Sequence, residues 1–546
     1  MKRAAVTLLL ALPLVLGNAT TVTSENATVK HDDATITASL LNYRENDIFK
    51  KRLILPPSSD VTITVTDVPP KFSFIVLQIH TYQYNATLAY DKTLLGKVSK
   101  GSLFGSNIGL YMKTRNVTGP LQVFLKHDNV HDLNALIVIV PYGSEAPIPG
   151  GCNMEFEIEI APYQKLRIEN EMIIVDAQPA AAFATNGLPI PCEKSPVQHS
   201  MYRFLLPMSD FKLETYFDAI ASMLTVQDIV QNGTEIPPAP TISIMRRIYS
   251  MFAGTGFVYA VVATYGNYSS AYVPTFSYGC NPLLHPNSCK VLNELFSKFV
   301  CTITLFIGIF LYFTGHESRY LTKVRLLPDC AMGAFVGYTI AVGTGDPGTA
   351  IDVLIGLIFA VLAMCISPFR RIRKFENPCF QWLSNLPLAF LCSCVAYLYA
   401  PAGMFYVLEY EWSFWCTFVS FTLAIAMLLM ITPYFAEILT RAVFISYFLV
   451  IPIDYYVGTN LKYIVITIVR RITISGFRLA FVYPPIRFFD WFLIMIWIML
   501  MLLQLLATYA QILIDTNDER QELLPARKPK VVIIFSRRPS IKNERT

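Results

Sequence analysis

The sequence predicts a membrane protein in two halves: a β-rich, β-sandwich-like luminal or extracellular N-terminal half, then an α-helical seven-transmembrane bundle. Three observations predict it. The chain opens on a short basic and apolar leader, all of its N-x-S/T sequons lie in the first half, and residues 296–514 are mostly apolar.

The chain is 53% hydrophobic and 15% charged, where a soluble globular protein carries about 25% charged residues. Mean hydropathy is +0.44, with the apolar excess concentrated after residue 295. A net charge of +5 over 546 residues is too small for a nucleic-acid footprint.

Met1-Lys2-Arg3, followed by the apolar run AAVTLLLALPLVLG, reads as a signal peptide over residues 1–17 with cleavage near Gly17. That run is too short to cross a bilayer comfortably. Sequons at Asn18, Asn26, Asn85, Asn116, Asn232 and Asn267 then predict exposure of this half to the glycosylation machinery. Of the eleven cysteines, Cys152, Cys192, Cys280 and Cys289 precede the apolar half. In an oxidising compartment they form two disulfides, with three possible connectivities. We favour Cys152 with Cys192 and Cys280 with Cys289, the latter a small clasp beside the membrane.

Segments FSFIVLQIHTY (72–82), ALIVIVPYG (135–143), MEFEIEIAP (154–162) and FVYAVVATYGNYSSAYV (257–273) are rich in β-branched and aromatic residues and are separated by turn formers. They predict strands. MEFEIEI alternates strictly, which places Glu155, Glu157 and Glu159 on one face of a half-buried strand; such a row is more often solvated surface than a ligand site. The length suits two sandwiches, at 18–165 and 166–295, with a break around 162–200. His127 and His131 in HDNVHD fall between strands without a third ligand cluster, and read as a polar loop rather than a metal site.

Apolar runs at 296–314, 326–345, 349–369, 379–401, 412–435, 438–458 and 488–514 are long enough to cross. With the sequons outside, the predicted inner loops carry Arg319, Lys323 and Arg325, then Arg370, Arg371, Arg373 and Lys374, then Arg441, and the tail at 515–546 is also basic. Outer loops near 344–350 and 402–411 carry no Lys or Arg, as the positive-inside rule requires. The loop 459–487 breaks the rule with Lys462, Arg470, Arg471, Arg478 and Arg487. Thr467, Arg470, Arg471 and Arg478 would form a rough polar stripe on a helix, which we read as an interfacial amphipathic helix. A shallow re-entrant segment is the alternative.

The chemistry-bearing motifs are few. Gly343-Thr344-Gly345-Asp346 spells GxGD, but intramembrane aspartyl chemistry needs a second carboxylate, and no Tyr-Asp occurs in an earlier span and no Pro-Ala-Leu anywhere in the chain. The apolar half has one histidine, His316, which excludes multi-histidine zinc and haem bundles. We expect no catalytic residue, no metal and no cofactor. Asp454 and Asp346 are the candidate intramembrane polar residues. Together with the glycine-rich hairpin of spans two and three (Gly333, Gly337, Gly343, Gly345, Gly348, Gly356), they keep a transporter or channel as the alternative function. In the tail, Glu519, Leu523 and Leu524 fit an acidic-dileucine sorting motif. Arg537-Arg538-Pro539-Ser540 could accept phosphate beside its arginines.

The stretches FSFIVLQIHTYQYNATLAY (72–90), PIPGGCNMEFEIEI (147–160), SSAYVPTFSYGC (269–280) and Phe489-Asp490-Trp491-Phe492 resemble the transmembrane 7 superfamily member 3 family. The resemblance implies a seven-span domain shared with transmembrane protein 198. It also implies a membrane role in stress homeostasis, cell survival or signalling, with no catalytic site. We therefore expect a non-enzymatic signalling or scaffold protein of the plasma or endolysosomal membrane, its N-terminus outside and its C-terminus cytoplasmic. Its partners would be the lipid bilayer and a protein bound by the ectodomain, with no nucleic acid; the oligomeric state is left open.

Overall fold

The structure is a computed structural model that describes residues 27–28, 34–44, 47–96, 100–115, 119–183, 188–289, 295–314, 326–345, 349–374, 378–484 and 486–523. It divides into two units. One holds the N-terminal half to residue 293 with the later segments 400–413 and 474–483; the other holds the helices between and after them.

The N-terminal unit begins with strands β1 (Ala27–Thr28), β2 (Ala34–Ser39), β3 (Phe49–Leu55), β4 (Asp60–Thr66), β5 (Phe74–Thr81), β6 (Ala86–Ala89), β7 (Ser102–Gly105), β8 (Asn107–Lys113), β9 (Leu121–Lys126) and β10 (Leu133–Tyr142). They form two five-stranded sheets, ordered β1-β3-β10-β5-β8 and β2-β4-β9-β6-β7. Both sheets feed one core, with Ile63, Val65 and Leu125 from one and Leu77, Ile79 and Val138 from the other. β5 and β10 are central strands buried on both faces almost throughout, which is why apolar residues dominate rather than alternate in them, with Gln78, His80, Thr81 and Asn134 as polar exceptions.

β11 (Lys165–Glu169), β12 (Met172–Asp176), β13 (Gln198–Met208), β14 (Thr234–Ile236), β15 (Arg246–Ser250), β16 (Thr255–Tyr265), β17 (Tyr268–Ala271), β18 (Thr275–Ser277) and β19 (Ala480–Phe481) complete the strands. One sheet runs β14-β13-β16-β17 with β18 also on β16; the other runs β11-β12-β15-β19. The FVYAVVATYGNYSSAYV segment is a hairpin whose two-residue turn is Gly266-Asn267, with Tyr265 paired to Tyr268. Gly266 takes φ +60° there, the conformation a tight hairpin asks of its first turn residue. Helices α1 (Leu213–Ala221) and α2 (Val226–Asn232) cross between strands. Thr225 caps α2 by accepting from the Asp228 N–H at 3.1 Å.

MEFEIEI is not a strand. Asn153 replaces the ladder: its Oδ1 accepts from the N–H groups of Glu155 and Phe156, and its Nδ2 donates to the carbonyls of Phe156 and Ile158. Short polar side chains compete with regular structure in this way. The alternation survives as burial, with Ile158 inside and Glu155, Glu157 and Glu159 exposed. Glu157 is held by Lys165 Nζ and Tyr163 OH, each at 2.8 Å. Just upstream, Gly150 has φ +65°, and a Cβ there would lie 1.8 Å from the Ala161 carbonyl, so this bend requires glycine. It places Cys152 for a disulfide with Cys192 (Cα–Cα 5.7 Å), while Cys280 bonds Cys289 (5.0 Å).

The helical unit runs α3 (Leu295–Thr314), α4 (Leu327–Gly343), α5 (Thr349–Lys374), α6 (Pro378–Leu398), α7 (Glu411–Ile431), α8 (Pro433–Val457), α9 (Tyr463–Thr473) and α10 (Phe488–Leu523). α7, α8 and the stretch Phe488–Ile514 of α10 are long and apolar enough to cross a membrane. The apolar stretches Lys298–Thr314, Leu327–Gly343, Ala350–Ile366 and Trp382–Leu398 are shorter. α8 is the hub: it packs on α3, α4, α6 and α10, and most of its apolar window is buried where those of α7 and α10 are mostly open. α4 and α5 make the closest helix pair. A Cβ on Gly333 would meet the Phe359 carbonyl at 2.6 Å and one on Gly356 the Ala334 carbonyl at 3.2 Å, so these two glycines serve backbone approach, while Gly343 and Gly345 face open space.

Candidate functional site

Two buried polar arrangements stand out, one in each unit. In the N-terminal unit, Arg203 on β13 lies opposite Tyr259 of β16 and is almost wholly buried. Its guanidinium sits over the rings of Phe257 at 4.7 Å, Phe481 at 5.2 Å and Tyr249 at 5.9 Å. It also donates to the Tyr483 carbonyl at 3.3 Å. Burial lowers its pKa from the usual arginine range, and the aromatic faces supply part of what water no longer gives.

Phe481 and Tyr483 come from the segment 474–483, whose strand β19 joins β15 in parallel, Ile248 to Ala480 and Tyr249 to Phe481. The segment 400–413 is fixed to the same unit. Glu409 has no exposed surface and accepts from the N–H and hydroxyl of Thr241, and Tyr483 OH donates to the Pro401 carbonyl at 3.0 Å. Two connections between helices are thus built into the second β-rich region as a strand and a pinned loop.

In the helical unit, Asp454 lies in the last turn of α8 with no exposed surface. Its Oδ1 accepts from the Leu461 N–H at 2.9 Å and from the Thr459 hydroxyl, and its Oδ2 accepts from the Lys462 N–H at 3.0 Å. Lys462 Nζ stands 3.5 Å from Oδ2 and donates to the Thr459 carbonyl. Gly458, at φ +82°, ends the helix, as a left-handed C-cap residue does. Asp490 in the first turn of α10 accepts from the Asn460 and Arg487 N–H groups, each at 2.8 Å, and from the Asn460 amide at 3.0 Å. The bond to Arg487 is the returning half of a capping box. One knot of carboxylates therefore joins the end of α8, the start of α9 and the start of α10.

Asp454, the acid singled out from the sequence, has both oxygens occupied by this knot. Asp346 lies outside the described residues. In α9 the polar stripe is the covered side: Thr467, Arg470 and Arg471 are buried while Ile472 is exposed, the reverse of a helix floating on an interface with its charges in water. Arg471 sits 4.3 Å over Phe414 and Arg470 lies 5.5 Å from the Tyr463 ring. α9 packs on α4 and α6. Its leading end is tied beside the start of α10 and its trailing end lies over the start of α7.

Among the sequons, Asn85, Asn232 and Asn267 are exposed, and Asn232 donates to the Ser222 carbonyl at 3.0 Å. Asn18, Asn26 and Asn116 lie outside the described residues. So does Leu524, whereas Glu519 and Leu523 fall within α10. His127 ends inside the sandwich, bonded through Nε2 to the Pro56 carbonyl at 2.7 Å. No group of three metal-ligating side chains occurs among the described residues. Sequence reasoning missed Arg203 and Glu409. The available signals were an arginine in the apolar strand MYRFLL and an acid, Glu409, one of two with Glu411 in an otherwise apolar outer loop.

Family models match most of the chain in series: a TM7SF3-like, N-terminal immunoglobulin-like domain over residues 42–142, a TM7SF3-like, second immunoglobulin-like domain over 147–283, and a TM7S3/TM198-like domain over 301–509. Transmembrane 7 superfamily member 3 of Homo sapiens is 25% identical over 458 residues, covering 80% of this chain and 77% of that one. Its Rattus norvegicus counterpart is 26% identical over 442 residues, 78% of this chain and 76% of that one. The Mus musculus protein is 24% identical over 473 residues, 82% and 80%.

Proposed function

The chain belongs to the transmembrane 7 superfamily member 3 family, and from that premise we propose that it is a non-enzymatic, seven-span glycoprotein whose immunoglobulin-like ectodomain binds a protein partner and relays that event to its helices. The carrying observation is the clasp around Arg203. A strand and a loop that connect membrane helices are parts of the ectodomain's own fold, so a partner that alters the β15–β19 pairing acts directly on the connections to α7, α9 and α10.

Seven crossings come from counting α3 to α8 and α10, the four shorter apolar helices included. α9 stays out of the count because its two ends lie beside helix ends of one side. In this reading the signal peptide is removed, the sequons face the lumen or cell exterior, the tail is cytoplasmic, and the protein travels the secretory pathway. A role in stress homeostasis and cell survival belongs to the same proposal. Deleting residues 30–290 from the full chain should abolish partner recovery in a cross-linking pull-down from intact cells. Unchanged recovery would overturn the ectodomain as the binding element.

A further inference from the structure

We propose that the cleft between the two immunoglobulin-like domains is the seat of the chain's own glycan, carried by Asn85. The proposal rests on the luminal placement of the ectodomain in the proposed function. The cleft has a volume of about 560 Å³, within the roughly 300–1,000 Å³ of small-ligand sites. Asn85 is in its wall, together with Phe104 and Asp128 from the first domain and Glu157, Lys165 and Arg167 from the second. The attachment point and the hollow are therefore the same place.

The neighbouring chemistry suits a sugar. Thr87, the third residue of the Asn85 sequon, pairs with Phe104 across the β6–β7 ladder, so Asn85 and Phe104 are diagonal neighbours on one face of the sheet. Phe104 is 70% exposed at the edge of its sheet. An apolar ring held open beside a sequon offers the C–H face of the first N-acetylglucosamine a surface to stack on. On the far wall, Lys165 and Glu157 hold each other at 2.8 Å and Arg167 lies 3.0 Å from Glu169, half-exposed pairs that present donors and acceptors to hydroxyl groups. Attachment itself is ordinary transfer from a lipid-pyrophosphate-linked oligosaccharide. The anomeric carbon leaves the pyrophosphate and bonds Asn85 Nδ2, and the amide proton passes to the leaving pyrophosphate. Once attached, the sugar folds back, packs on Phe104 and braces one domain against the other.

Asn267 is the internal control. It sits on the Gly266-Asn267 turn, and its hollow is lined by Val226, Gln227, Val230, Gln231 and Ser269, with no ring and no charged group. The test is native digestion of the full-length chain, made in secretory-competent cells and held in detergent, with peptide-N-glycosidase and site-resolved mass spectrometry. A ring contact and a few hydrogen bonds should slow release at Asn85 about tenfold relative to Asn267. Phe104→Ala should remove that difference and Phe104→Tyr should keep it. The wild-type comparison stands alone if Phe104→Ala does not fold. Equal release at the two sites, or an unoccupied Asn85 beside an occupied Asn267, overturns the seat. Sugar at no sequon overturns the luminal placement instead.

Discussion

His80 stands in the middle of β5 with no exposed surface. Its Nδ1 lies 2.8 Å from Asn107 Oδ1 and its Nε2 faces the Gln78 amide at 3.1 Å. Tyr216 OH donates to the same Asn107 oxygen, so one polar cluster ties α1 to the first sandwich. Gln78 Oε1 is the atom that faces Nε2; turning the Gln78 amide over lets a neutral ring that donates from Nδ1 accept from the Gln78 NH2, whose nitrogen otherwise lacks a partner. Burial lowers the His80 pKa to about 4, and burial does the same to His199, also to about 4. Unfolded histidine takes its proton near pH 6.5. Below that value the unfolded chain binds more protons than the folded one, so the stabilising contribution is complete above pH 6.5 and is lost as pH falls towards 4. For His80 alone the loss reaches about 3 kcal/mol. Hydrogen exchange of the amides of 74–81 should accelerate steeply from pH 7 to 4.5, after correction for intrinsic rates, and His80→Gln should flatten that slope. An unchanged slope in the variant would show that His80 is not the titrating group.

At the scale of elements, α8, α9 and α10 depend on two carboxylates. Asp454→Ala would leave the Leu461 and Lys462 N–H groups without their acceptor and the Lys462 ammonium buried without its counter-charge. Breaking a buried pair from one side costs about 3–5 kcal/mol, so the variant should melt markedly lower in detergent, with Asp454→Asn between it and the native chain. A melting point equal to wild type would free Asp454 for the transport role its position first suggested. The helices of this unit were legible because runs such as 438–458 are long, apolar and bounded by turn residues. The central strands were legible for the same reason. MEFEIEI was misread because alternation reports burial, and the side chain of Asn153, outside the repeat, decides the backbone. α9 was half legible: its stripe was visible, but which side is covered depends on α4 and α6, more than 60 residues away in the chain. The roles of Arg203 and Glu409 were illegible, though the residues stood out from their neighbours, since each answers a partner more than 160 residues distant.

Across the whole molecule, the count of crossings decides on which side each end lies, and α9 decides the count. Eleven residues of helix span only about 16 Å, against a hydrocarbon core of about 30 Å. Asn460 before α9 bonds Asp490 at the start of α10, and Arg471 near its end lies over Phe414 at the start of α7. A segment whose two ends stay beside the starts of α7 and α10 enters and leaves on the side from which those helices begin. Burial accounts for three of the five basic residues that break the positive-inside rule in this loop: Lys462, Arg470 and Arg471 face protein rather than either aqueous phase. On the proposed reading, which counts the four shorter apolar helices as crossings, the crossings number seven and the two ends of the chain lie on opposite sides. In sealed microsomes carrying the full-length protein with a tag after Thr546, added protease should remove the tag and leave the 27–289 region intact until detergent opens the vesicles. Protection of the tag alongside the ectodomain would mean an even number of crossings, either through α9 traversing after all or through one of the shorter helices, α3 to α6, failing to cross.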